Sequence, residues 1–308
     1  VWGNSASGYG IYARGGAGDL SLFNGTIHAT SSPSSDLALH SNDFVDIHLD
    51  DDANSASQFR ILNDADAVVF AVDESGTITG SIGSGGGWAL TGNSGTKPST
   101  NFLGTTDNVS LTLAVNNAPA LRLVPNNFSP NIIGGCTGNS VTDGAVGAAI
   151  GGGGALGGQV LLPSPNWVTD DYGTVGGGKA NQAGDDAGTT GDAPHSTVGG
   201  GLGNIASGAT GGNGGAATVA GGAFNRAYGG GSFIGGGVQN TALGDESSIG
   251  GGLLNCAIGE EATVSGGEHN QAMVQYASIG GGYNNEASGT AATIGGGEQI
   301  TVTNSWGT

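Results

Sequence analysis

Basic side chains are scarce. Arg14, Arg60, Lys97, Arg122, Lys179 and Arg226 stand alone against 25 acidic residues in 308, for a formal charge of −19. A surface of that sign repels phosphate backbones and anionic headgroups, which excludes nucleic acid and an acidic membrane surface as partners. Cysteine is nearly absent: Cys136 and Cys256 lie far apart, form no metal-like cluster, and fit small buried residues or free thiols better than a disulfide framework. No run of eighteen apolar residues exists, so membrane insertion by a helix is not expected. No leader pattern is visible before the glycine-rich start at Val1, which fits a removed leader or numbering that begins inside a longer protein.

Glycine is abundant instead, with 66 residues and no collagen triplet. Such content usually marks low complexity, because glycine loses the most conformational entropy on ordering. Here the glycines are spaced. Val219, Ile234, Ile249, Val264, Ile279 and Ile294 are anchors 15 residues apart, each followed by a short run that is mostly glycine. Six residues after the first five come Asn225, Asn240, Asn255, Asn270 and Asn285, and eight after them Ala227, Ala242, Ala257, Ala272 and Ala287. Self-similarity at a fixed period is the mark of a stacked repeat. The expected fold is all-β, a parallel β-roll with coils of about 15 residues.

Upstream the pattern loosens. Ile133 carries an Asn at the same offset, Asn139, and the next anchors are Ile150, Val175 and Val198, separated by 17, 25 and 23 residues. The added residues, within 154–171, 183–196 and 209–216, are read as loops protruding at a corner of the roll, where specificity is expected to reside. Residues 1–128 read as a strand-rich N-terminal region. Gly15–Asp19 there reads as a turn, Val45, Ile47 and Leu49 alternate with polar residues, Val68, Phe70 and Val72 form another strand, and residues around Trp88 read as a connection. Val109, Leu111, Leu113 and Val115 are expected to alternate inward in a hairpin that turns at Asn116–Pro119 and returns through Leu121 and Leu123. The divisions are therefore 1–128, irregular coils over 129–218, regular coils over 219–300, and a terminal segment from 301 to 308.

Two short strands and two tight turns consume one 15-residue coil, and six such coils at roughly 4.8 Å give a rod segment of about 29 Å. One coil has little to bury. Its anchor contributes roughly 1.5–3 kcal/mol, while ordering each residue costs roughly 1–2 kcal/mol. Ladder hydrogen bonds add about 1 kcal/mol each. Association of several rolls through apolar edges is the expected remedy.

The unit Ser-Ile-Gly-Gly-Gly-x-x-Asn-x-Ala-x-Gly-x-x-Ala, read from Ser278 to Ala292, resembles the head repeats of YadA-like trimeric autotransporter adhesins. The resemblance runs over about 133–300 and is closest from 196 on. It implies a left-handed parallel β-roll, three chains about one axis, and export to the cell surface. Thr174-Val175-Gly176-Gly177-Gly178 is also similar to repeats of bacterial surface and tail-fibre-like proteins. The sequence carries neither the heptad stalk nor the barrel anchor of the autotransporters, which leaves the export route open.

Candidate sites follow from the same pattern. The Asn column reads as an internal ladder satisfying turn groups. Asp50, Asp51 and Asp52 are the weak candidates for Ca²⁺, without the spacing of a calcium loop; no other cofactor is expected. Trp167, Tyr172 and His195 are the candidate recognition residues, the aromatics able to stack on sugars or to pack at a seam between chains. The Gly-x-Gly runs open no helix, so a phosphate loop is excluded. The functional expectation is a non-enzymatic extracellular or cell-surface fibre segment, a homotrimer with surface glycans or matrix proteins as partners. Two alternatives stand beside it: a phage- or injection-system-like tail fibre, and a polymerising filament subunit docked through residues 1–128.

Overall fold

The computed structural model describes residues 58–62, 68–73, 78–80, 92–156, 164–210 and 214–308. The Gly15–Asp19 turn, the 45–49 strand, Asp50, Asp51, Asp52 and the connection around Trp88 lie outside them. The chain divides into two units, Val1–Lys97 and Pro98–Thr308. In the first, β1 (Gln58–Leu62), β2 (Val68–Asp73) and β3 (Ile78–Gly80) form an antiparallel meander. Ala71 is buried in β2, and Phe59 meets Phe70 edge to face at 6.4 Å.

The second unit is a parallel β-solenoid, all-β with no helix among the described residues. A hairpin starts it: β4 (Leu111–Val115) and β5 (Ala118–Val124) pair antiparallel. Asn116 and Asn117 both have positive φ, 49° and 59°, the primed turn that matches strand twist. The turn thus takes two residues, and Pro119 already stands in β5, beside a register shift. Strand β6 (Asn131–Gly134) pairs antiparallel with β5 and parallel with β8 (Ala149–Ile150), so the hairpin continues the first sheet of the roll instead of belonging with the residues before it. Its outer face is uncovered, with Val115 69% exposed. The inward alternation expected from its sequence is absent at Leu113 and Val115.

From there each coil adds one strand to each of two parallel sheets. The first continues through β10 (Thr174–Val175), β12 (Thr197–Val198) and β14 (Thr218–Val219) to Thr293–Ile294. The second begins at β7 (Ser140–Val141) and runs through β9 (Trp167–Val168), β11 (Gln182–Ala183) and β13 (Ile205–Thr210) to Thr301–Val302. A third ladder of single bridges joins Lys179, Leu202, Ala223, Val238, Leu253, Glu268, Tyr283 and Glu298. Thr301–Val302 is therefore another turn of the pattern, not a separate terminal segment.

Inside, the columns are uniform. The anchors Val219, Ile234, Ile249, Val264 and Ile279 are fully buried, and Ile294 nearly so. Ala227, Ala242, Ala257, Ala272 and Ala287 face them from the second sheet, also fully buried. A further slot two residues before the anchor holds Ala217, Ser232, Ser247, Ala262, Ala277 and Ala292, all buried. Small residues there let the two sheets approach, and the single large aliphatic per coil fills the remaining width.

The corners take positive φ at glycine and non-glycine residues alike. Glycine three residues after the anchor does have positive φ, as in Gly237 (84°) and Gly252 (94°). Two further left-handed positions per coil are mostly not glycine. Phe224, Gln239, Leu254, His269, Asn284 and Gln299 occupy one, and Glu246, Glu261, Tyr276, Ala291 and Trp306 the other, with φ between 52° and 60°. Each keeps its N–H in a ladder bond, such as Leu254 to the Val238 carbonyl (3.0 Å) and Glu261 to that of Asp245 (2.8 Å). The stack supplies a hydrogen bond that offsets a cost of about 1–2 kcal/mol for the αL backbone.

Candidate functional site

The Asn column is interior structure. Asn225, Asn240, Asn255, Asn270 and Asn285 are all buried. Their upstream counterparts Asn139, Asn166, Asn181 and Asn204 are buried as well. Asn255 shows the arrangement. Its Nδ2 donates to the carbonyls of Gly251 (2.9 Å) and Gly267 (2.8 Å), and its Oδ1 accepts from Asn270 N (3.0 Å) and Nδ2 (3.1 Å). An amide is the one side chain short enough to donate twice and accept twice in this slot. Such residues offer nothing to an outside ligand.

The insertions leave at two different corners. The first departs at Ala155 and returns at Ser164, whose backbones exchange hydrogen bonds of 2.8 and 3.1 Å; residues 157–163 between them lie outside the described residues. Trp167, expected in that loop, instead stands in β9 on the outer face of the second sheet, 38% exposed. It pairs with Ser140 on one side and Gln182 on the other.

The second insertion, from Gly184 to Pro194, follows β11 and folds back beside β9. Asp170 holds it. This fully buried residue accepts at Oδ2 from Thr169 Oγ1 (2.9 Å) and Asp185 N (2.9 Å), and at Oδ1 from Ala193 N (3.4 Å). The two bonds to the loop grip it near its beginning and its end. Gly184 has to be glycine, because a Cβ there would run into Asp170 Oδ2 and Thr169 Oγ1. Burial pushes the Asp170 carboxyl above its ordinary value, while the Thr189 hydroxyl holds exposed Asp192 below its own. The carboxylates of Asp170, Asp185 and Asp192 come within 4.8 Å of one another, and these are the acids among the described residues that can share a cation. Asp170 is already committed to three protein donors, two of them backbone N–H groups of the insertion. Its position fits a loop anchor better than a ligand.

Tyr172 and His195 occupy the left-handed corner of successive coils, with φ of 57° and 63°. Their rings stack at 5.1 Å and 12°. Tyr172 also lies close to Gly147, where a Cβ would sit 2.6 Å from Tyr172 Cδ1. Tyr172 thus packs against its column neighbours in the adjacent coils while remaining 46% exposed. Phe224 similarly lies over Gly203.

Two adjoining hollows open on this part of the roll. One, about 300 Å³, is lined by Ser140, Thr142, Trp167, Thr169, Gln182 and Asp186, so the second insertion forms one wall through Asp186. The other, about 320 Å³, shares Ser140 and Thr142 and extends over the first coil to Arg122, Asn126, Asn131 and Asp143. Arg122 Nη2 donates to the Asn139 carbonyl (2.6 Å), and the guanidinium has no carboxylate partner among the described residues. Of the three expected recognition residues, Trp167 lines this groove; Tyr172 and His195 form a separate stacked pair. Ser140, Thr142, Gln182, Asp186 and Arg122 were not anticipated. The signal for three of the positions is in the sequence, since Asn139-Ser140, Asn166-Trp167 and Asn181-Gln182 repeat the same step ahead of a small apolar residue.

No protein-family model matches the chain, and no curated protein matches its sequence.

Proposed function

We propose that this chain is a non-enzymatic segment of an extracellular, cell-surface fibre, in which the β-roll sets reach and stiffness and the irregular coils near its start make contact with surface molecules. The observation that carries the reading is the constancy of register. The anchors of Val219 to Ile294 pair one to one with no shift, the Ala column does the same, and each Asn from 240 to 285 donates its N–H to the Oδ1 of the Asn one coil before. A catalyst needs converging irregular side chains, whereas a spacer needs one cross-section repeated.

Self-association into a homotrimer belongs to this reading. Its support is the apolar surface the single chain leaves uncovered: Val115 and Phe128 at the hairpin, and Phe224, Val238, Leu254 and Tyr283 along one corner of the roll. Exposed apolar surface that is contiguous marks an interaction site. Light scattering on the purified chain tests it. Three 29.6 kDa chains give about 89 kDa. A particle at the mass of one chain at all concentrations overturns the trimer and weakens the fibre with it.

A further inference from the structure

The groove at the start of the roll has the composition of a saccharide site, and we infer that it binds an oligosaccharide whose neutral rings lie along Trp167 and whose carboxylate-bearing sugar reaches Arg122. The inference rests on the surface-contact part of the fibre reading and names its site. Three observations converge. First, Trp167 is a large aromatic held rigidly in a strand, and its neighbours in the column are Ser140 and Gln182, both capable of bonding sugar hydroxyls. Second, Asp186 sits on the insertion wall with φ of 60° and its N–H donated to Thr169 Oγ1 (3.2 Å), so its backbone is fixed before any ligand arrives. A carboxylate carried on a fixed backbone beside an apolar platform suits a polyhydroxyl ring. Third, the second hollow brings one of six basic residues of a chain with charge −19 into a cleft, without a carboxylate partner among the described residues. Guanidinium is the donor suited to a planar carboxylate.

The two hollows, at about 300 and 320 Å³ and joined through Ser140 and Thr142, accommodate a short chain of sugars and not a single ring. Asp143 on the rim of the Arg122 hollow limits the negative charge that fits there. A ligand with one carboxylate is favoured over a polyanion, in keeping with the repulsive field of the whole chain.

Calorimetry and ligand-observed NMR on the full chain test this with sialyllactose as probe and lactose as its neutral counterpart. Sialyllactose is expected to bind at least tenfold more tightly than lactose. Arg122→Gln is expected to bring sialyllactose down to the affinity of lactose. Trp167→Ala should weaken both sugars tenfold or more, and Asp186→Asn should weaken both severalfold, whereas Tyr172→Ala should leave both unchanged. Each variant is checked by its thermal melt and its native mass. If neither sugar binds, or if folded Trp167→Ala binds as well as the parent, the inference is overturned. If the mass remains that of the oligomer in such a case, the fibre reading survives it. Equal binding of both sugars by the parent chain overturns the role given to Arg122.

Discussion

Replacing Asn255 with alanine removes four hydrogen bonds at one point of the interior ladder. Two are donations from Nδ2 to the Gly251 and Gly267 carbonyls, and two are acceptances at Oδ1 from Asn270. The consequences for the partners differ. Gly267 O keeps the N–H of Leu253, and Asn270 Nδ2 keeps the Gly266 and Gly282 carbonyls. The Asn270 N–H has no such reserve, since its bond is to Asn255 Oδ1, and it is left unpaired in the interior. At about 1 kcal/mol net for each of the other three lost bonds, and about 1–3 kcal/mol for the orphaned buried donor, Asn255→Ala is expected to cost about 4–6 kcal/mol. That is a large share of the roughly 5–15 kcal/mol that holds an ordinary domain folded. Equilibrium urea unfolding followed by circular dichroism measures it. Asn255→Asp serves as the companion, because it keeps an acceptor but aims a second oxygen at two carbonyls. It should be as harmful as alanine at neutral pH and recover in part under acid, when a protonated carboxyl donates once. A loss below about 1 kcal/mol for Asn255→Ala refutes the claim that the column holds the coils together.

The hydroxyls of Ser232 and Ser247 are buried without a partner in a slot that alanine fills at 217, 262, 277 and 292. Ser247→Ala is expected to stabilise the chain by about 1 kcal/mol, read from the same urea titration; a loss of stability contradicts the assignment. Gly237 and Gly221 make an informative pair. A Cβ on Gly237, at φ +84°, would strike the Gly252 carbonyl, whereas one on Gly221 meets nothing within 4 Å. Gly237→Ala should cost about 3 kcal/mol or more, and Gly221→Ala should be neutral or gain up to about 1 kcal/mol, by thermal melts run side by side. The raised Asp170 carboxyl means that the folded chain holds that proton more tightly than the unfolded one. Stability should therefore fall as pH rises from the ordinary value of 3.8 through the raised one, and level off above it. Asp192, shifted down, contributes the opposite slope below that window. Asp170→Asn should flatten the upper slope in unfolding measured across acidic pH, and an unchanged slope would show that another group causes it.

Much of the roll was legible in the sequence because its period is strict. An anchor at every fifteenth position leaves one register, and the Asn and Ala offsets fix which side of the coil each faces. The upstream anchors Ile133, Ile150, Val175 and Val198 were identifiable despite unequal gaps, since insertions leave the strand residues unchanged. The corners were less legible. Glycine was the natural candidate for φ > 0, yet Phe224, Leu254, Glu261 and Tyr276 adopt it, because a ladder bond at each corner outweighs the side-chain preference. The groove could be read least. Trp167 reads as an aromatic in a long insertion, and its place in a strand follows only from counting the Asn column back through Asn166. Arg122 reaches the same surface only because the hairpin extends the first sheet, a tertiary fact that no local pattern encodes.

The central claim is that the fold repeats one cross-section every fifteen residues, so that whole coils are interchangeable units. Deleting Ser248–Ala262 removes one coil and joins Ser247 to Thr263, which restores every column. Thermal unfolding of that chain is the most direct measurement. One nearest-neighbour contact is lost, and the melt should remain cooperative within a few degrees of the parent, while deletion of 248–263, one residue too many, leaves a short coil that no loop can make up and should abolish it. Collapse of the fifteen-residue deletion, or equal tolerance of both, would contradict the account.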